Sequence, residues 1–221
     1  MRVTDRRYAD LKRLQIWTGV LPVGLFVISH LVTNTRAIAG SAAFDRMSAA
    51  IDRIPALTGI EIVAIALPML AHIGLGVALG TTAQAAGDAR GYRRPALLFA
   101  QRATGFFLVV YVCFHVWGTR LSPDRLAGGV GLFDLMARRL AHPGMLAFHI
   151  AGVTGAAFHL GNGLVGLAGP WGLAAGERAE RLAARVGLAA FVVLSAIGIV
   201  ALLAFGHPAF RWLEPHRLVA R

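Results

Sequence analysis

Polar and long apolar stretches alternate along the chain, and the apolar ones set its plan. Four long apolar segments cover residues 14–34, 57–80, 144–167 and 186–206. A fifth, over 97–119, is broken only by Arg102 near its start. A helix rises 1.5 Å per residue, so about 20 apolar residues cross the hydrocarbon of a bilayer. All five segments reach that length. They predict an all-α integral membrane protein with five transmembrane helices, in a single membrane domain over residues 1–221. The first segment is too long for a signal-peptide core and is expected to be retained as a helix.

Two connections carry a shorter helical pattern. Phe44, Met47, Ile51 and Ile54 recur at helical spacing within 43–55, and Leu132, Phe133, Leu135, Met136 and Leu140 do so within 131–142. Both predict amphipathic helices lying in the membrane interface. The connection TTAQAAGDARGYRRP is polar and reads as a flexible loop. Pro22 and Pro68 fall inside spans and predict kinks in the first two helices.

Composition agrees with this plan: 57% of the 221 residues are hydrophobic and 15% charged, which is no soluble globular balance. The net charge of +11 invites a nucleic-acid reading, but the Lys and Arg residues are spread through every connection and both tails. So distributed, they flank helices and meet anionic lipid. The basic run MRVTDRRYADLKR before the first helix places the N-terminus on the cytoplasmic side. The single cysteine, Cys113, excludes a disulfide within the chain and reads as a small buried hydrophobe.

The histidines change the picture most. His30, His72, His115 and His159 occupy one each of the first four helices, spaced 42, 43 and 44 residues apart. Successive helices run in opposite directions. His30 and His115 therefore fall toward one side of the membrane, and His72 and His159 toward the other. A titratable side chain within hydrocarbon is costly and marks a functional site. Two imidazoles at one depth on different helices are what the iron of a b-type haem requires, and bis-imidazole ligation leaves no open position, which suits electron transfer. The pattern predicts two b haems in the bundle of the first four helices, one per pair. Small residues make room for a flat macrocycle. Gly152 and Gly155 lie seven and four residues before His159 on its face; Gly161 and Gly163 extend that surface, and Gly76 lies four residues after His72.

These residues resemble a family, the di-haem cytochrome b membrane anchor of succinate dehydrogenases and fumarate reductases (succinate:quinone oxidoreductases), of the type with one five-helix anchor. The resemblance covers nearly the whole chain and rests on SHLVTN around His30, AHIGLG around His72, QRATGFFLVVYVCFH ending at His115, and FHLGNGL around His159. It implies that His72 and His159 ligate a haem proximal to the iron–sulfur subunit, and His30 and His115 a distal one. It implies a chain that is not catalytic alone. Such a chain anchors a flavoprotein and an iron–sulfur subunit at the cytoplasmic face of a bacterial inner membrane. It exchanges their electrons with a membrane quinone, typically menaquinone. Some fumarate reductases of this type place a glutamate two residues before the fourth-helix ligand. Ala157 stands there in this chain, which favours the succinate-oxidising direction.

Other polar residues within the spans take roles in that frame. Glu61 lies 11 residues before His72, nearly three turns, and is a candidate proton-handling group at an outer quinone site; an interfacial acid at a helix start is its plainer reading. Arg102, with Thr104 beside it at the inner end of the third helix, could pair with a haem propionate or snorkel to lipid phosphate. His149 is a candidate for a quinone or a propionate. His142, His207 and His216 read as interfacial, and Trp17, Trp117, Trp171 and Trp212 as parts of an aromatic belt. Two other readings remain. One is a di-haem anchor of another quinone-linked oxidoreductase, although such anchors often place two ligands on one helix. The other is a haem-free transporter or anchor, although no internal repeat is evident.

Overall fold

A computed structural model describes residues 5–82, 95–128, 130–168 and 176–215. Every regular element among them is helical. The polar connection predicted over 81–95, Trp171 and His216 lie wholly or mostly outside the described residues.

Five stretches are long and apolar enough to cross a membrane, as the pattern predicts: Arg6–Ala39, Leu57–Gly80, Pro95–Gly118, Pro143–Leu167 and Glu177–Gly206. The first and last begin nine or so residues before their apolar segments, because a helix does not stop where its side chains become polar. The first comprises α1 (Asp5–Thr18), a π-turn (Gly19–Val23), α2 (Gly24–Asn34) and a 3-10 turn (Thr35–Ala39). The second comprises α4 (Leu57–Glu61), a π-turn (Ile62–Ala66) and α5 (Leu67–Gly80). Each π-turn accompanies a proline: Pro22 lies inside the first, and Pro68 opens α5 just after the second. Proline has no N–H to donate and its ring crowds the carbonyl four residues back. Widening the local turn relieves that conflict, so the predicted kinks are met by a change of helical pitch. The third, fourth and fifth are single helices, α6 (Pro95–Gly118), α9 (Pro143–Ala168) and α10 (Glu177–Gly206). Proline at the first position of α6 and α9 forfeits only a donor that would lack a partner in any case.

Both short helices predicted in the connections are present as helices, α3 (Ser41–Asp52) and α8 (Leu132–Leu140), with a short α7 (Pro123–Leu126) between α6 and α8. Gly40 turns the chain from the 3-10 segment into α3 with φ of 86°, a conformation natural only to glycine.

The described helices divide into two compact units; the second span falls in the first unit but for Leu57, and the other four spans are each divided between the two. The first unit takes Met1–Val27, Thr58–Phe106 and Phe158–Phe191; the second takes Ile28–Leu57, Phe107–Ala157 and Val192–Arg221. In the first, α1 packs on α5. Gly161 of α9 meets Gly187 of α10 backbone to backbone, and a Cβ on either would collide with the other's carbonyl oxygen. Small residues permit such close crossings, and between membrane helices this packing replaces the hydrophobic drive. Gly161 therefore serves the fifth helix and does not widen the histidine-bearing face as expected.

The second unit is closed by an aromatic cluster. Phe205 lies 4.8 Å from Phe44 and 5.1 Å from Phe133, ring centre to ring centre. Phe133, Leu135, Met136 and Leu140 of α8 are all buried. Asp45 Oδ1 accepts from the Phe133 N–H at 3.2 Å, satisfying a donor at the start of α8. Arg211 donates to the carbonyls of Ala204 and Phe205 at the end of α10 and lies 5.0 Å over the Phe133 ring. Large apolar side chains such as Leu25, Phe99, Phe106 and Trp117 are instead exposed, as lipid-facing residues are. Cys113, expected to be buried, is exposed on α6. In a membrane span an apolar thiol gains little from burial, because the lipid is as apolar as the protein interior.

Candidate haem-ligating histidine pairs

The first unit brings His72 of α5 and His159 of α9 together, with ring centres 6.1 Å apart and planes at 86°. The second brings His30 of α2 and His115 of α6 together at 5.9 Å and 83°. Two imidazoles that each bind one metal ion at about 2 Å put their ring centres about 6 Å apart. Both pairs have that separation. Among the described residues, no group of three or more His, Cys, Asp or Glu side chains could hold a metal ion. A pair suffices for a haem, since the porphyrin supplies the other four nitrogens. The donor chemistry and the spacing therefore fit a b haem.

Hydrogen bonds decide which ring nitrogen of His72 and of His159 is available. His72 Nδ1 lies 2.7 Å from the Gln15 carbonyl oxygen. A carbonyl can only accept, so Nδ1 carries the proton and Nε2 keeps its lone pair for a metal. His159 Nδ1 lies 3.3 Å from Thr104 Oγ1. The Thr104 hydroxyl donates to the Ala100 carbonyl at 2.7 Å and so accepts from Nδ1, giving the same tautomer. Thr104, expected to bind a cofactor beside Arg102, thus sits behind the His159 ring. Gln101 Nε2 donates to the His159 carbonyl at 3.1 Å, and Asn162 Nδ2 donates to Gln101 Oε1 at 2.9 Å. The polar residues of FHLGNGL and QRATG therefore form one brace around His159.

A glycine of a neighbouring helix backs each imidazole of this pair. A Cβ on Gly19 would strike the His72 ring, and one on Gly105 would come within 3.2 Å of His159 Cε1. Gly19 also begins the first π-turn, and Gln15 lies four residues before it. The sequence reading passed over Gln15, Gly19, Gln101 and Gly105. The signal for them was polar or glycine residues inside an otherwise apolar span.

The second unit holds a third imidazole. His149 of α9 is 3% exposed, with its ring 6.0 Å from that of His115 at 67°. Its Nδ1 donates to the Met145 carbonyl at 2.9 Å. Tyr111 stacks on His115 at 5.7 Å and 20°, and meets His149 edge to face at 5.8 Å. His115 Nδ1 is buried without a hydrogen-bond partner among the described residues. Gly152 lies against the Tyr111 ring and Gly155 against Phe107. The space these two glycines leave is therefore taken by aromatic side chains of α6. Arg139 of α8 lies against Gly118, three residues past His115, and its charge bears on both His115 and His149. An open cavity of 410 Å³, lined by Val110, Phe114, His142, Gly144, Met145 and Phe148, lies beside α6 and α9.

Arg102 is exposed and Glu61 half-buried. The reading that put Glu61 on the His72 face counted 100° per residue throughout. The π-turn between them invalidates that count. Residues of an i→i+5 turn advance only about 80° each, so the faces diverge by roughly a quarter turn.

No family model matches the chain. It is 39% identical over 203 residues to the succinate dehydrogenase cytochrome b558 subunit of Bacillus subtilis (strain 168), covering 92% of this chain and all of that one. Near-complete coverage at that identity, in a chain with five membrane-length helices and four paired histidines, means that the chain belongs to the family of succinate dehydrogenase cytochrome b558 subunits.

Proposed function

We propose that this chain is the membrane-anchoring cytochrome b subunit of a succinate:quinone oxidoreductase. It carries two b haems that pass electrons between an iron–sulfur subunit and a membrane quinone, for which menaquinone is our reading. The observation that carries the proposal is the pair of imidazole pairs, each about 6 Å across and each within its own unit.

His72 and His159 would hold the haem nearer the iron–sulfur subunit, and His30 and His115 the other. When bound, such a haem supplies reversible one-electron transfer at its iron. This chain's residues do the rest. Gln15 and Thr104 hold the protons of His72 and His159 on Nδ1, so Nε2 of each stays basic and would be free to bind an iron. Tyr111 fixes the plane of His115 by stacking. Arg139 brings a guanidinium to the His30–His115 end, where it suits the carboxylates of a macrocycle better than the exposed Arg102 does. His149, its proton on Nδ1, keeps the Nε2 lone pair, and its ring lies 6.0 Å from that of His115. The adjoining apolar cavity and His142 support a quinone-facing role there; Glu61 is the second candidate for proton exchange. The flavoprotein and iron–sulfur partners would dock on the cytoplasmic side, the side on which the basic tail places the N-terminus of this inner-membrane chain.

Haem content per chain tests the proposal, by pyridine haemochrome with reduced-minus-oxidised spectra of the solubilised protein. Two b haems are expected. His72→Ala or His159→Ala should remove one, and His30→Ala or His115→Ala the other. A haem lost with His149→Ala and retained with His30→Ala would reassign the second pair. No haem in protein made with ample haem supply would overturn the reading.

A further inference from the structure

The fold gathers two arginines where nothing yet said uses them. Arg36 lies in the 3-10 turn at the end of the first span and Arg46 on α3. Gly40, with its left-handed backbone, folds α3 back on that turn. Arg36 and Arg46 then line one pocket of 280 Å³ with Ala43, Met47 and Ala50. Among the described residues neither guanidinium pairs with a carboxylate. Asp45, the acid next in sequence, is engaged by the Phe133 N–H.

Two like charges converging on one pocket repel each other and call for an anion between them. The pocket lies where the first apolar span ends, at Ala39, and its other walls are apolar. A guanidinium pair matches a phosphodiester in geometry as well as charge. Ala43, Met47 and Ala50 offer a surface for the glycerol and upper acyl chain beneath it. We propose that this pocket binds the phosphodiester of an anionic phospholipid.

The test uses the assembled complex in nanodiscs of phosphatidylcholine with and without phosphatidylglycerol, followed by delipidation and native mass spectrometry of the lipid retained. Arg36→Gln/Arg46→Gln should weaken retention of phosphatidylglycerol, by roughly fivefold per arginine, with the haem spectrum unchanged. The control Arg178→Gln/Arg185→Gln, which removes two exposed charges elsewhere, should retain it fully. Inorganic phosphate should not displace it. Equal retention by the Arg36/Arg46 variant and the parent would overturn the proposal. So would displacement by inorganic phosphate, which would make the pocket a site for small anions only. If the double variant does not assemble, each single glutamine variant, read for the same ratio, decides between these outcomes.

Discussion

Gly19 shows how much a position without a side chain can determine. A Cβ there would collide with the His72 ring, and the carbonyl that orients the ring, that of Gln15, lies four residues earlier in α1. Gly19→Ala should therefore remove most of one haem per chain and leave the other, as haemochrome content with difference spectra would register. Gly105→Ala should do less, because the closest approach there is 3.2 Å and His159 can give by a few tenths of an ångström. Arg139 belongs to the same scale. A positive charge near a haem favours the reduced form, so Arg139→Gln should lower the midpoint potential of the His30–His115 haem and leave the other in place. The expected shift is tens of millivolts, 59 mV being about a tenfold change for one electron. Arg139→Lys should restore much of it. An unchanged redox titration would remove Arg139 from that site.

Helices were the most legible elements, because length and apolarity decide them in a membrane. The five membrane-length helices and the two short helices α3 and α8 lie where the hydrophobic pattern put helices. The four histidines were legible for a related reason: in hydrocarbon an imidazole without a role is rare, so even spacing carries weight. Apart from the histidine pairs, contacts that depend on two helices at once were not legible. Nothing local says that Gly161 answers Gly187, that Gly152 makes way for Tyr111, or that Arg139 reaches Gly118. The angular relation of Glu61 to His72 was not legible either, for a subtler reason. A proline marks trouble in a helix, but the sequence does not say whether a bend or a π-turn absorbs it, and only the second rotates the faces. The Gly161–Gly187 crossing yields a prediction at this scale. Gly187→Leu should force α9 and α10 apart, lowering the midpoint of thermal unfolding in detergent by several degrees. Overpacking of this kind typically costs about 1–3 kcal/mol. Phe205→Ala should act similarly in the second unit, opening the cluster with Phe44 and Phe133 at a cost of about 3–5 kcal/mol, with difference spectra still showing both haems.

At the scale of the molecule, each unit encloses one histidine pair. The double variant His72→Ala/His159→Ala should therefore lose one haem and keep the spectrum of the other; loss of both would mean that the two sites form only together. Neither pair is local in the chain. His30 must meet His115, and His72 must meet His159, each across more than 80 residues. Synthesis proceeds from the N-terminus, so the two sites cannot mature at the same moment. The His30–His115 site has both ligands once α6 has entered the membrane. The other waits for the last turns of α9, and for α10 to lock Gly161 in place. On the proposed ligation, biogenesis therefore has a built-in order, and a ribosome stalled just after the third span would expose a chain with both imidazoles of one pair and only one of the other.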